Sequence, residues 1–460
     1  MLPVRLPYIA VLSTALAVSP LASSGERQIT FTAKNHSLDN NDNFSSDGRF
    51  LCYDTREEVG PGIENCQSIE KVEIATGNET VLYRPAESVI GDEPAPGVGA
   101  ASYCAVANVV AFIHGPPLEE VPARGPYAKP NRNGVEVAAD GSGRWVWLDK
   151  RDTETSRDTI PGAHRGGTHR HEYTLDGKRI GFTYDDVLLP QYDRTIGYME
   201  KHAKAPQGAT HFFAILVPVV PKGASKPGEI EKAYGDSWVG RHGHTRAFIG
   251  KVRAEDGVSY EESLFVVDVP ADVDIATADS GSATRFPSPP EGVRIRRLTH
   301  TWAGGIVRGT PDGDRIAYYG KAADGAAQIF VIPSDGSDQH RDPAKRPVQA
   351  THLPHGAGPG LRWHPSGNTV FCISSNWVVA TCVKPGPGFG TSVLLTPEGD
   401  GPAREELVVS LDGKMLAFSK QVPTFDEDGN RVHTYDGSDF RQIFVLDFPD
   451  ADGDGIADAR

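Results

Sequence analysis

One short pattern recurs along the chain: an apolar run, a turn that ends in glycine, and a second β-rich run. It reads NFSSDGRFLCYDT at 43–55, EYTLDGKRIGFTYD at 172–185, RGTPDGDRIAYYG at 308–320, RWHPSGNTVFCIS at 362–374 and VVSLDGKMLAFSK at 408–420. Asp-Gly or Ser-Gly supplies the positive-φ residue that a tight hairpin needs. A third strand follows most copies, as in KVEIATGNETVLY, AQIFVIPSDG and RQIFVLDF, and weaker copies lie around 102–115 and 245–270. The turn glycines Gly48, Gly177, Gly313, Gly367 and Gly413 are separated by 129, 136, 54 and 46 residues. Each long gap has room for one divergent copy. Units of about 40–50 residues with several strands each predict an all-β chain folded as a seven-bladed β-propeller, with a pair of β-sandwiches as the alternative. RQITFTA at 27–33 is expected to add an outer strand to the last blade and close the ring. The Pro/Gly-rich stretches 116–143, 187–240 and 271–292 become loops on its faces.

Composition narrows the function. A formal charge of −15 over 460 residues argues against a nucleic-acid partner, since no basic stripe faces phosphates. The first residues, MLPVRLPYIAVLSTALAVSPLASSGE, hold one early cation (Arg5), an apolar run from Leu6 to Val18 and then small residues. That layout is a secretory signal peptide over 1–24, cut after Ser24, and too short an apolar run to span a membrane. The rest divides into a propeller at 25–449 and an acidic Asp/Gly-rich tail at 450–460, placing the protein in the periplasm or outside the cell. Of the cysteines Cys52, Cys66, Cys104, Cys372 and Cys382, the last two flank a possible hairpin. They are the best disulfide pair, against buried free thiols.

The stretch RGGTHRHEYTLDGKRIGFTYDD at 165–186 carries the chemistry. In a strand, positions i and i+2 share a face, with Cα atoms about 6.5–7 Å apart. His169 and His171 are then expected to converge at the mouth of the central channel while Arg170 points elsewhere. Neutral imidazole suits Mn, Zn or a similar divalent metal. Aligned on the turn glycines, the equivalent positions are Asn40/Asp42, Gly305/Val307, Pro359/Leu361 and Glu405/Leu407. The repeat itself does not demand the histidines, which points to a site. A catalytic metal needs further ligands, and the candidates are Asp42, Glu405, His36, His114 and His300. His242 and His244 in GRHGHTR are candidate bases, and Arg165 offers a fork for a substrate carboxylate. The plainer alternative is a polar channel lining without an ion. In DADGDGIADAR, Asp450, Asp452, Asp454 and Asp458 stand at the alternating spacing of a calcium loop, against a solvated acidic tail. No Gly-x-Ser-x-Gly elbow, Walker loop or dinucleotide fingerprint occurs.

The DG-x-x-(I/L)-x-(F/Y) turn followed by an IFV strand resembles the TolB-type propeller repeats of exported bacterial proteins. ITFTAKNHSLDN, GGTHRHEYTLDGKRIGFTYDD, WVGRH…AFIG and RRLT are more closely similar to the YidR-like family, over nearly the whole mature chain. A more distant resemblance is to oligogalacturonate lyases, which are also seven-bladed. Their Gln-x-x-His-Pro-His segment precedes Phe, Pro-Asp and a Phe-Thr-Ser-Asp strand. His169 and His171 match those histidines, Tyr173 the aromatic, Asp176 the turn aspartate, and Phe182-Thr183-x-Asp185 the strand. The resemblance implies manganese steadying a uronate carboxylate during β-elimination. Gly166 stands where the ligand glutamine belongs, and the segment falls in the first half of the chain rather than late. The expectation is a metal-assisted, carbohydrate-active propeller, a lyase of uronate-containing oligosaccharides. The alternative is a non-catalytic TolB-like scaffold that binds a protein or glycan. Either would engage its ligand, an acidic oligosaccharide or a protein, on the channel face, with no membrane span once the leader is removed.

Overall fold

A computed structural model describes residues 25–38, 42–57, 62–397 and 401–458, together with the strand Ser19–Pro20. The strands form seven blades of a β-propeller. Blade 1 has a three-stranded sheet, Phe50–Asp54, Ile69–Glu73 and Glu79–Tyr83, preceded by an irregular inner segment bridged at Phe44↔Leu51 and Ser37↔Asp54. The inner strands of blades 2 to 6 are Val98–Tyr103, Gly166–Tyr173, Ile230–Val239, Ala303–Gly309 and Arg362–Trp363. Blade 7 stacks Glu405–Val409, Met415–Gln421, Arg441–Asp447 and, outermost, the N-terminal Arg27–Gln28, which pairs antiparallel with Phe444 and Val445. The N-terminal strand thus closes the ring as the sequence suggested. Ser19–Pro20 runs parallel to Val393–Leu394 at the rim of blade 6, and the rest of the leader read at 1–24 lies outside the described residues.

Side chains from neighbouring blades meet in separate apolar slabs. Between blades 2 and 3 the slab includes Ala111, Leu148, Phe182 and Phe213; between 3 and 4, Tyr198, Phe212, Trp238 and Phe248; between 7 and 1, Leu51, Tyr53, Val408 and Ile443. Period-2 strands bury both faces because each sheet is sandwiched by two others. In RWHPSGNT the turn pairs His364 Nδ1 with Ser366 Oγ at 2.8 Å, and the four Asp-Gly copies are built alike. A Ser or Thr hydroxyl donates to the turn aspartate (Thr174 Oγ1 to Asp176 Oδ1, 2.6 Å; Ser410 to Asp412, 2.7 Å), and the glycine that follows is left-handed, at φ +70° for Gly177.

The inner strands depart from simple alternation. Pairing with the second strand slips between Gly99 and Ser102, His169 and Glu172, Tyr234 and Ser237, Gly304 and Arg308, and Glu405 and Val408. Each slip is a β-bulge, and a left-handed residue sits in it: Ala100, Arg170, Gly235, Gly305 and Glu406 respectively. An extra residue in the strand reverses which side chains face the channel.

All five cysteines are buried free thiols. Thr369, not Cys372, lies opposite Cys382 in the hairpin, so the suggested pair is offset by three positions and forms no disulfide. No helix among the described residues is long and apolar enough to cross a membrane.

Candidate functional site

The ends of the inner strands, just before the repeated turns, surround a cavity of about 380 Å³ at one mouth of the channel. Asp42, Glu172, Ser237, Arg308 and Arg362 are among its lining residues and come from five different blades. Arg308 and Glu172 are 6% exposed. Burial, then the charges of Arg362 and Arg170, push the Arg308 guanidinium well below its ordinary value. Burial and Arg170 likewise bring Arg362 down to about 10. Three cations therefore act on one another here, with Glu172 and Asp42 as the opposing charges.

The two acids differ. Glu172 is committed: Ser237 Oγ donates to Oε1 at 2.8 Å, and Arg246 Nη1 lies 2.9 Å from Oε2. Arg246 in turn reaches Asp236 through Nε at 2.7 Å. Asp42 is raised to about 7, first by burial and then by the Glu172 charge, against the pull of Arg308 and Arg362. An acid that changes charge near neutrality, beside guanidinium groups, can exchange a proton with a bound anion. The indole N–H groups of Trp238 and Trp363 brace the wall by donating to the carbonyls of Glu172 (3.0 Å) and Arg308 (2.9 Å).

His169 and His171 are placed differently from the expectation. Arg170 occupies the bulge at φ +53°, and its charge is the one felt by Arg308 and Arg362. The histidines are 2% and 0% exposed and packed toward blade 2. His169 Nε2 lies 2.8 Å from Asp185 Oδ2 and its Nδ1 3.0 Å from Arg132 Nη1. His171 Nε2 bonds Thr168 Oγ1 at 3.0 Å, and Thr168 donates on to the buried Asp149 at 2.6 Å. Burial lowers the two rings to about 3 and about 4, so both are neutral imidazoles at ordinary pH. The i, i+2 argument holds for a regular strand and fails across a bulge.

The other proposed ligands are scattered. His36 is fully buried between the Arg441 carbonyl (3.0 Å) and Glu79 (3.1 Å), and His114 between Tyr83 OH (2.9 Å) and the Gly115 carbonyl (2.6 Å). His300 is exposed beside Asp338 at 3.0 Å. Glu405 lies 3.7 Å from Arg441 and lines a different cavity, with His433 and Asp439. Among the described residues these side chains bring no three ligand atoms together, so the donor set does not fit a shared manganese or zinc ion. His242 and His244 are exposed on the blade 4 turn, their rings 5.8 Å apart, and neither lines the cavity; His242 Nδ1 instead meets Asp176 at 2.9 Å. Arg165 is 2% exposed and does not line this cavity; it donates to Thr159 (2.6 Å) and the Arg157 carbonyl (2.9 Å) and lies 3.9 Å from Asp152.

At the tail, single ligand atoms of Asp450, Asp452 and Asp454 lie within 4.8 Å of one another and could hold a metal ion. Asp458 accepts from the Ala451 N–H at 2.7 Å and stands outside that group. The tail is not a free solvated end, because Asn368 Nδ2 and Thr369 Oγ1 donate to the carbonyls of Asp454 (2.8 Å) and Gly455 (2.7 Å).

The sequence reading missed Arg308, Arg362 and Glu172. Each stands five residues before its turn glycine (Gly313, Gly367, Gly177), a position shared by charged residues in three blades. Alignment one residue further along would have found them.

A closed β-propeller with a charged, partly buried channel mouth is the class that fold and site define. Residues 97–207 match a family described as a protein of unknown function (DUF3748). The chain is 29% identical over 420 residues to the protein YidR of Escherichia coli (strain K12), covering 85% of this chain and 94% of that one. The likeness to YidR-like propellers read from the motifs therefore runs along most of its length. Similar solved structures include one assigned to TolB of Agrobacterium tumefaciens, at 14% identity and a TM-score of 0.32 over 61% of this chain and 90% of that one. Another is an oligogalacturonate lyase in complex with manganese, at 11% identity and a TM-score of 0.41 over 78% of this chain and 94% of that one. No functional residue is carried over from either.

Proposed function

We propose that this propeller is carbohydrate-active and takes the carboxylate of a uronate-containing oligosaccharide into the channel mouth. The observation that supports it is the meeting of Arg308 and Arg362 with a near-neutral Asp42 in one cavity of about 380 Å³. The guanidinium groups neutralise the ligand carboxylate and so make the adjacent C–H more acidic. Asp42, part-ionised near pH 7, removes that proton; the electron pair forms the C=C bond and breaks the C–O bond, and the leaving glycosidic oxygen takes a proton back from Asp42 or from water. No step is routed through a metal on His169 and His171.

The second reading, a non-catalytic scaffold binding a glycan or protein over the same face, is favoured by one observation. Glu172 is held by Arg246 and Ser237, which leaves one carboxylate rather than two to move protons. Oligogalacturonides separate the readings. The lyase yields unsaturated-product absorbance that Asp42→Asn abolishes while calorimetric binding persists. Binding without product supports the scaffold, and absence of binding in the native chain removes both.

Two finer assignments belong with this reading. Export to the periplasm or medium follows from the leader at 1–24, and N-terminal sequencing of the mature protein checks for a start at Gly25. Calcium is the ion assigned to Asp450, Asp452 and Asp454, because carboxylate oxygens are the donors hard cations take.

A further inference from the structure

The face opposite the Asp42 cavity holds a buried arginine that, among the described residues, has no carboxylate in direct ion-pair contact. The inner strand of blade 3 shows the geometry: Glu172 and Tyr173 end at the cavity, while Gly166 and Gly167 pair with Asp186 and Asp185 at the other end. Arg132 comes down beside that far end, where its carbonyl accepts from the Thr168 N–H at 3.3 Å. It is 8% exposed, and its guanidinium lies 4.8 Å over the Tyr127 ring. Nη1 lies 3.0 Å from His169 Nδ1, and Nε is buried without a hydrogen-bond partner.

The neighbouring charges are already matched. Asp185 is taken by His169 Nε2 at 2.8 Å and by Arg194 Nε at 3.0 Å, and Arg56 is taken by Asp54 at 2.7 Å. Among the described residues no carboxylate lies within ion-pair reach of Arg132. Burial depresses its guanidinium and the Arg194 and Arg56 charges press it the same way, against the opposing pull of Tyr127 and Asp185. A buried cation without a carboxylate in contact is held against a large desolvation penalty, which an incoming anion offsets.

His169 sets the orientation. Its ring is neutral, so Nδ1 accepts from Arg132 only when Nε2 carries the proton and donates it to Asp185. This Asp185–His169–Arg132 chain occupies Nη1 and leaves Nε without a partner, and the Nε–Nη2 edge of a guanidinium is the side that takes carboxylate or phosphate in a two-point contact. We propose that Arg132 anchors a second oxyanion site, for a carboxylate or phosphate group, on this far face, with His169 as its positioning residue. The site accounts for the first histidine of the HxH motif without a metal, and it stands apart from the carbohydrate reading.

The test is calorimetric titration of the full chain with inorganic phosphate and, separately, with monomeric galacturonate. Arg132→Met keeps the volume and removes the charge. It is expected to weaken binding at this site by about tenfold or more while melting within a few degrees of the native protein. His169→Gln, which can still accept from Arg132 and donate to Asp185, holds affinity within about threefold, whereas His169→Ala loses about tenfold. Whether phosphate, galacturonate or both respond to Arg132→Met tells the two anion sources apart. Arg308→Met, in the channel mouth, leaves the Arg132-dependent binding intact whatever becomes of the lyase reading. Equal binding in native and Arg132→Met protein overturns the proposal. Should Arg132→Met fail to fold, a crystal of the native protein grown in phosphate decides: an oxyanion on Arg132 supports the site, and its absence there overturns it.

Discussion

Replacing Asp42 by asparagine fixes that side chain in a neutral form, so its effect on stability depends on pH. In the folded protein the Asp42 carboxyl is raised from 3.8 to about 7, by burial first and by Glu172 second. Below pH 4 the folded and unfolded chains both hold the proton, and the two proteins differ little. Between pH 4 and 7 the unfolded chain releases it while the folded chain keeps it. The native protein therefore loses stability as pH rises through this window, and the loss levels off above the folded value. Three pH units at about 1.4 kcal/mol each give a penalty of about 4 kcal/mol at pH 8. Asp42→Asn escapes it. Urea unfolding at pH 4, 6 and 8 should show the variant equal to native at the acid end and progressively more stable toward pH 8. An offset that is the same at pH 4 and pH 8 would refute the reasoning, because Asp42 would then titrate as an ordinary surface acid.

Other expectations follow from particular contacts. Gly177→Ala places a Cβ 2.5 Å from Val106 Cγ2 at a φ of +70°, and should cost about 1–3 kcal/mol in urea unfolding. Ile29 is 2% exposed and its N–H bonds the Ile443 carbonyl at 2.9 Å, so Ile29→Asp should loosen the ring closure and destabilise by about 3 kcal/mol. Asp450→Asn with Asp454→Asn should abolish terbium luminescence at the tail, while His169→Ala with His171→Ala leaves the metal content of purified protein unchanged. Uronate affinity should fall as salt rises, since part of it is charge attraction at a water-accessible mouth.

Much of the fold was legible because hairpin turns are local. The Asp-Gly or Ser-Gly signal needs only four or five adjacent residues; its five copies point to the all-β class, the two long gaps between them supply the remaining two blades, and RQITFTA at 27–33 reads as the closing strand. The site was less legible for a physical reason. Which inner-strand side chains face the channel depends on the bulge at Ala100, Arg170, Gly235, Gly305 and Glu406. Arg170 and Glu406 are not residue types that announce a left-handed backbone. Counting by two across that point put His169 and His171 in the channel and Arg170 outside, the reverse of their placement. Asp42, which the sequence offered as a metal ligand, lines the mouth because the irregular inner segment of blade 1 brings it there. Its arginine partners lie far away in sequence, and only the closed ring brings them together.

The central claim is that the channel mouth receives an acidic ligand on Arg308 and Arg362. Calorimetric titration of an oligogalacturonide into native protein and into Arg308→Met with Arg362→Met tests it most directly. The account predicts saturable binding in the native chain, tighter at pH 6 than at pH 8 as Asp42 ionises, and loss of that binding in the double variant. Binding of equal strength in both proteins, with no response to pH, would contradict it.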